Sequence, residues 1–384
     1  MRVLVTYGKH PKTLAVVRSL GRSGRRVTVT DDIDRSLSSF SKYCDGFVRI
    51  GSPDRDPGVF LDRLRSVIEQ RKIDLVIPLD DTEFDLLQSH RDAIGHDCAL
   101  AGPSTESYGV ARDKLKTIRL AERLNIRIPR SFEVADCDCV NRIPEVVGLP
   151  AIIKPRRGSG SRGLLFIQSK KDLEIAASSI GEHDELLAQE FIPSAGGIGV
   201  SLLMKDGAVR ASLTHRRLLE FPETGGPSLV RESCHNQIAE SAAQELLATL
   251  KWNGVAMVEF RLDSRTGKPV LMEINPRFWG SLPLAIACGV DFPKLLCDMY
   301  EYGDVAPSRA YQDGVGCVNL LPFGVSSVLG QNGVRRLAKV LRYGLKFRHF
   351  DVESFDDPLP AIGAMLYMVK STLDSTNIEM FFHR

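Results

Sequence analysis

This chain is short of several things, and each shortage excludes something. Net charge is scarce: 50 Lys and Arg against 48 Asp and Glu leave +2, so there is no broad electrostatic footprint for nucleic acid and any charged site must be local. Eight cysteines are scattered singly apart from Cys137 and Cys139, and no paired C-x-x-C spacing suits zinc. Structural or inert thiols are expected. The apolar stretch LPAIGAMLYMV at 359–369 is much shorter than the ~18–20 residues of a membrane span and reads as a packed helix. The opening MRVLVTYGKH lacks a long apolar segment with a cleavage site, so no signal peptide is implied and a cytoplasmic location is expected. No internal repeat or low-complexity segment interrupts the 384 residues, a length that leads one to expect two or three domains.

What is present begins with alternation. VLVTY, RVTVTDD and DLVIPLDD read as strands, with PKTLAVVRSLGRSG and VFLDRLRSVIEQRK as helices between them. Such alternation predicts a parallel α/β sheet over residues 1–110. Asp31 ends the second strand where a dinucleotide-binding acid would sit, but the first turn, Tyr7-Gly8-Lys9-His10-Pro11, lacks the close-set glycines that let backbone approach a pyrophosphate. After a helix around Arg112 to Leu124 the pattern changes to strand, flap, strand, helix. Two α+β units, 111–188 and 189–305, are expected to join into one catalytic body. Residues 306–384 form an extension of unassigned role that contains VRRLAKVLRYGLKFRHF. That segment is a basic amphipathic helix, read first as a solvated face, with contact to an anionic membrane surface as the alternative.

Within IIKPRRGSGSRGLLFI, Gly158, Gly160 and Gly163 spell G-x-G-x-x-G. A dinucleotide fingerprint needs a helix straight after the glycines, and LLFIQS is a strand. A protein kinase would carry its lysine downstream and add H-R-D and D-F-G motifs, which are missing, as is any G-x-x-x-x-G-K-[ST] loop. The remaining reading is a hairpin whose turn folds over phosphates, with Lys154 on the entering strand. Further on, Glu259 and Glu273 flank a turn centred near Thr266, so an antiparallel hairpin brings them face to face, and Asn275 shares the face of Glu273. Like charges across a ladder are destabilising. Two carboxylates and an amide among apolar neighbours invite a hard cation such as Mg²⁺, and Arg277, one more two-residue step along, suits a phosphoryl group or an anionic intermediate.

Asp113-Lys114, IIKP with GSGSRG, QEFI, VEF and MEINPRFWG, in that order, resemble the ATP-grasp superfamily over roughly residues 1–300. Within it the chain most resembles the carboxylate–amine ligases, relatives of biotin carboxylase and the carbamoyl phosphate synthetase large subunit. The resemblance implies an ATP-grasp fold, α/β and α+β, with an N-terminal Rossmann-like domain, a central lid, a C-terminal ATP-grasp subdomain and a helical tail. It implies ATP and one or two Mg²⁺ ions, for which Mn²⁺ could substitute. Lys114 and Lys154 would hold phosphates beneath a lid containing Gly158, Ser159, Gly160, Ser161 and Gly163. Gln189, Glu190, Phe191 and Ile192 would be the adenine hinge, Glu259, Glu273 and Asn275 the metal ligands, and Arg277 the contact to the reacting phosphoryl group.

The segment THRRLLEFPETGGPS adds Arg216 as a catalytic candidate and Arg217, Gly225, Gly226 and Ser228 as substrate candidates. Asp80, Asp81 and Glu83, past a strand's carboxyl end, could hold an amine or simply cap a helix. His215 and His235 are weaker candidates for a general base. The implied reaction joins a small-molecule carboxylate to an amine through an acylphosphate. The alternatives are bicarbonate chemistry, for which no M-K-M biotin-attachment site is present, and a non-catalytic ATP-binding protein. A homodimer is expected from the resemblance alone. PSAGGIGVSLL, after the hinge, lacks the acid with which many relatives hold ribose.

Overall fold

Short apolar runs alternating with helices that carry one apolar stripe can bury themselves only as a parallel sheet covered on both faces. In the computed structural model, which describes residues 1–158, 163–181, 185–221, 226, 228–308, 310–329 and 332–373, strands β1 (Arg2–Val5), β2 (Arg26–Asp31), β3 (Gly46–Arg49), β4 (Leu75–Ile77) and β5 (Ala99–Leu100) form that sheet in the order β3-β2-β1-β4-β5. All its pairings are parallel. The order reverses between β1 and β4, so the carboxyl ends of these two strands open a crevice at the switch point. Helix Pro11–Arg22 starts there with the His10 side chain accepting from the Lys12 amide, and helix Asp81–Ser89 with Asp80 accepting from the Thr82 amide.

The next unit is antiparallel. Strands β6 (Ser131–Val134), β7 (Ala151–Pro155), β8 (Leu165–Ile167) and β9 (Leu186–Glu190) form a sheet in the order β6-β9-β7-β8. The glycine-rich segment joins β7 to β8, which pair antiparallel from Ala151↔Ile167 to Ile153↔Leu165, so it is the turn of a hairpin. Helix Lys170–Ser179, with its Ser169/Asp172 capping box, buries Leu173 and Ala176 against this sheet.

The third sheet contains β10 (Ser194–Lys205), β11 (Ala208–Glu220), β12 (Ser228–Ser233), β13 (Gly254–Asp263), β14 (Pro269–Asn275) and β15 (Gly316–Val318), in the order β14-β13-β10-β11-β12-β15. Helix Gln237–Thr249 covers one face, where Ala243, Leu246 and Leu247 pack with Val200, Leu202 and Val258. Phe278, Trp279, Leu282 and Phe292, which follow β14, pack into the core of the N-terminal sheet with Val3, Val5 and Leu20. The chain leaving the hairpin is thereby anchored to the first domain. The C-terminal extension is built into the same body: β15 pairs with β12, and the buried Arg18 donates to Asp357 Oδ2 at 2.9 Å. Among the described residues no helix is long and apolar enough to cross a membrane.

Candidate active site

The β13–β14 hairpin forms the floor of the site. Glu259 lies directly opposite Glu273, and Met257 opposite Asn275. A bulge follows Glu259, so that Phe260 faces Leu271, and alternation along each strand turns the two glutamates and Asn275 to one face. The Asn275 amide donates to Glu259 Oε1 at 3.1 Å and to Glu273 Oε1 at 3.4 Å. Two like charges so close need compensation. Arg217 Nη2 donates to Glu259 Oε2 at 2.5 Å, and Lys114 Nζ stands 3.6 Å from Glu273 Oε2. Burial pushes Glu259 above its ordinary range, Arg217 pulls it back and Glu273 adds to the rise.

This donor set fits a divalent cation. Oxygen ligands with few protein carboxylates suit Mg²⁺ when phosphate or water oxygens complete its shell, and the raised Glu259 marks a carboxylate pair that another positive charge would relieve. The Asn275 side chain can offer its oxygen in place of its NH₂. Among the described residues no cluster of three or more His, Cys, Asp or Glu side chains is placed to hold a metal. A cation at the hairpin would take further oxygens beside those of Glu259, Glu273 and Asn275, as Mg²⁺ does when phosphate or water completes its shell.

Arg217 owes its position to glycines. It belongs to β11 and reaches Glu259 on β13 across the intervening β10, where Gly199 is the residue paired with Glu259. A Cβ at Gly197 would come within 3.1 Å of Arg217 Cδ. The run GGIG in β10, which lacks a ribose-binding acid, thus leaves room for a guanidinium to cross. Alternation sends Arg216 elsewhere: its side chain is 57% exposed and pairs with Glu232 at 2.6 Å. The arginine at the carboxylates is therefore Arg217, while the catalytic candidate Arg216 lies on the other face of β11, because neighbouring strand residues point to opposite faces.

Opposite the hairpin stands β7 with Lys154, buried and with no acidic partner within 4 Å among the described residues. Burial lowers its pKa to about 8, Lys114 and Arg261 push in the same direction, and Glu273 opposes them. Three cations converging on so little negative charge make a receptor for a polyanion. Lys114 Nζ also donates to the Gly158 carbonyl at 2.7 Å, tying the start of the flap to the hairpin. Asp113 caps the helix beginning at Lys114 and takes the Arg156 guanidinium, which fixes where that lysine emerges. Gly163 has φ +69°, a left-handed turn conformation that favours glycine. Ser159, Gly160, Ser161 and Gly225 lie outside the described residues.

Residues 111–281 match the family model of the ATP-grasp domain. This stretch is an ATP-grasp domain. A probable alpha-L-glutamate ligase of Shewanella halifaxensis is 29% identical over 202 residues, 50% of this chain and 42% of that protein. A D-alanine–D-alanine ligase of Mycobacterium avium is 27% identical over 232 residues, 52% of this chain and 60% of that protein. The chain thus spans less than two thirds of either relative. Among solved structures, N5-carboxyaminoimidazole synthetase from Staphylococcus aureus in complex with ADP superposes with a TM-score of 0.66 at 16% identity, covering 87% of this chain and 85% of that one. Biotin carboxylase from Campylobacter jejuni gives 0.65 at 17% identity, covering 82% and 74%.

The edge of the ATP-grasp cleft is aromatic. Phe191 and Phe166 meet edge-on with centroids 5.1 Å apart, and Ile192 is buried beside them. The Glu190 and Phe191 amides donate to the Arg130 and Pro150 carbonyls, while the Glu190 carboxylate takes Arg130 and Arg265. Gln189 is buried with its amide on Ser131 Oγ at 2.8 Å. Gly226 is buried, and the Ser228 hydroxyl donates to the Val230 carbonyl. His215 is buried, and burial, then Arg217 and Arg231, hold its pKa at about 3. It stays neutral at physiological pH and is a poor base. His235 is exposed and contacts Tyr311 Oη at 3.0 Å.

Arg277 departs furthest from expectation. Instead of turning onto the carboxylate pair, it crosses to the N-terminal domain, where Nε and Nη2 donate to Asp81 Oδ1 and Oδ2, both at 2.7 Å. Burial alone would raise Asp81, but Arg277, with help from Arg112 and Lys12, holds it far below the carboxylate range. Glu83 does not form an open lip either. It is buried, accepts from the Thr6 hydroxyl, and is pushed up to about 8, chiefly by burial. Asp80 caps its helix. Between these groups lies Lys12, buried and with no ion pair within 4 Å among the described residues, lowered to about 7 by burial and then by Arg277. The sequence reading missed Lys12 and the arrangement around it; the one available hint was a lysine in the first turn of the helix after β1.

Proposed function

We propose that the protein is an ATP- and Mg²⁺-dependent ligase that joins a carboxylate to an amine through an acylphosphate, releasing ADP and phosphate. The observation that carries this reading is the convergence of Glu259, Glu273 and Asn275 opposite Lys114 and Lys154, in a domain of the ATP-grasp family. The names of the relatives, a probable glutamate ligase and a D-alanine–D-alanine ligase, support amide-forming chemistry.

In this reading a substrate carboxylate attacks the γ-phosphate to give an acylphosphate and ADP, and an amine then attacks the acyl carbon and expels phosphate. Phosphoryl transfer depends on positioning and charge neutralisation more than on acid–base chemistry. Lys154 and Lys114 bind phosphate oxygens, and a polyanion there restores the charge that burial strips from Lys154. Glu259, Glu273 and Asn275 hold Mg²⁺, which when bound neutralises phosphate charge and orients the transferring group. Arg217 keeps Glu259 oriented from across β10. Arg277, buried and paired with Asp81, braces the segment after the hairpin against the N-terminal domain. The flap between β7 and β8 excludes water from an acylphosphate that would otherwise hydrolyse.

The test is ADP release, with and without Mg²⁺, over a matrix of amino acids, small carboxylates and bicarbonate, with Glu273→Gln as control. Release that requires one acid and one amine and disappears in the variant supports the ligase. Release with bicarbonate alone replaces it with a carboxylase, and tight ADP binding without turnover on any pair removes the ligase reading.

A further inference from the structure

Helix Gly333–Phe347 and the residue after it carry Arg335, Arg336, Lys339, Arg342, Lys346 and Arg348 and no acidic side chain. One face is accounted for by the fold. Val340 and Phe347 pack with Leu229, Val230 and Val318, and Arg336 lies over the Phe221 ring and donates to the Ser327 carbonyl at 3.0 Å. The opposite face has two parallel rows. Val334, Leu341 and Leu345 are 75%, 49% and 82% exposed. Beside them, one residue later at each step, Arg335, Arg342 and Lys346 are exposed, with Lys339 completing the cationic row. Among the described residues Arg335, Lys339 and Arg342 make no ion pair, and Lys346 approaches Glu232 only to 3.9 Å.

A second apolar patch lies nearby. Helix Leu359–Leu373 packs against Leu37–Phe40 and, like the first helix, against Leu320–Gly324. It exposes Leu359, Ile362 and Met365, and the preceding segment exposes Phe355. Of the acids nearest in sequence, Asp356 is matched by Lys42 and Arg22 and Asp357 by Arg18, and Glu353 has its carboxylate oxygens buried.

We propose that this face docks on the surface of an anionic lipid bilayer, with helix Gly333–Phe347 lying in the plane of the interface. A partner that covers both rows must offer apolar volume immediately beside negative charge. A bilayer rich in anionic headgroups does so over any length of helix. A nucleic acid backbone would match the cations and leave Leu341 and Leu345 in water, and a second copy of this helix would bring like charges together. The inference rests on the helix alone and is independent of the ligase reading.

The experiment is co-sedimentation of the full chain with phosphatidylcholine vesicles and with mixed phosphatidylcholine–phosphatidylglycerol vesicles. Binding should be at least ~10-fold stronger on the anionic vesicles and weaken as salt screens the cations. Leu341→Asp/Leu345→Asp and, separately, Arg335→Gln/Lys339→Gln/Arg342→Gln should each lower it ~10-fold or more. Their thermal unfolding should be unchanged, because these side chains touch water in the free protein. Equal sedimentation on both vesicle types, or wild-type binding by both variants, overturns the proposal. So does an aspartate variant that converts a dimer to a monomer while vesicle binding persists, or retention on acidic protein or nucleic acid with none on vesicles.

Discussion

Replacing Asp81 with asparagine leaves Arg277 facing Lys12 and Arg112 with its strongest anion removed. The two side chains are each 10% exposed and joined by two hydrogen bonds of 2.7 Å. Breaking a buried pair by removing one partner costs about 3–5 kcal/mol, much of it the penalty of an uncompensated buried charge. The surroundings make the two halves unequal. In Arg277→Met, Asp81 keeps the attraction of Arg112 and Lys12, whereas in Asp81→Asn the buried Arg277 keeps the weaker attraction of Asp80 against the repulsion of Lys12 and of Arg112, itself paired with Asp85 at 2.7 Å. Asp81→Asn should therefore cost more than Arg277→Met. The double variant should be more stable than the sum of the singles implies by about 2 kcal/mol, a coupling expected only of residues in contact. Urea unfolding followed by fluorescence of the buried Trp252 and Trp279 reads all three. The acid limb gives an independent check. Because the folded Asp81 titrates below its unfolded value, the pair's stabilisation is present above about pH 4 and is lost as pH falls further, a loss that Asp81→Asn abolishes. Additive single effects within about 0.5 kcal/mol, or a costlier Arg277→Met, would refute the argument.

Glu273→Gln should reduce Mg²⁺-dependent ADP release by about 100-fold or more, since a ligating oxygen is worth at least as much as its outer-shell partners. Steady-state kinetics over a Mg²⁺ titration checks this. Arg217→Gln should lower turnover by about 100-fold through loss of the group on Glu259, whereas Arg216→Gln, which breaks only an exposed pair, should cost at most about 1 kcal/mol of stability and little activity; comparing the two separates adjacent arginines. Lys12 sheds its proton near pH 7 when folded and near 10.5 when unfolded, so across that window the unfolded chain binds more protons and stability should rise with pH, by up to about 1.4 kcal/mol per unit. Urea midpoints at successive pH values should show that rise in the wild type and lose it in Lys12→Met.

The sequence by itself determined whatever depends on neighbours in the chain. Alternating apolar runs and helices specify the parallel sheet, because each element must bury its apolar face against the next. LLFI after the glycines specifies a hairpin, since a strand cannot present a helix N-terminus. A turn near Thr266 brings Glu259 opposite Glu273, because antiparallel pairing fixes which residues meet once the turn is set. Register and strand period also place Asn275 beside them. The tertiary structure alone decided which distant groups compensate these charges. Arg277 went to Asp81 because the segment after the hairpin packs into the first domain's core, a contact no local pattern encodes. Arg217 was chosen over Arg216 by the orientation of β11 in the sheet and by space above Gly197 on another strand. Lys12 and Glu83 became a buried pair of perturbed groups only when the ends of β1 and β4 met at the switch point. The tail, opaque in sequence, was drawn in by pairing of β15 with β12. Charges settle where burial and partners together cost least, and partners from distant parts of the chain exist only once it has folded.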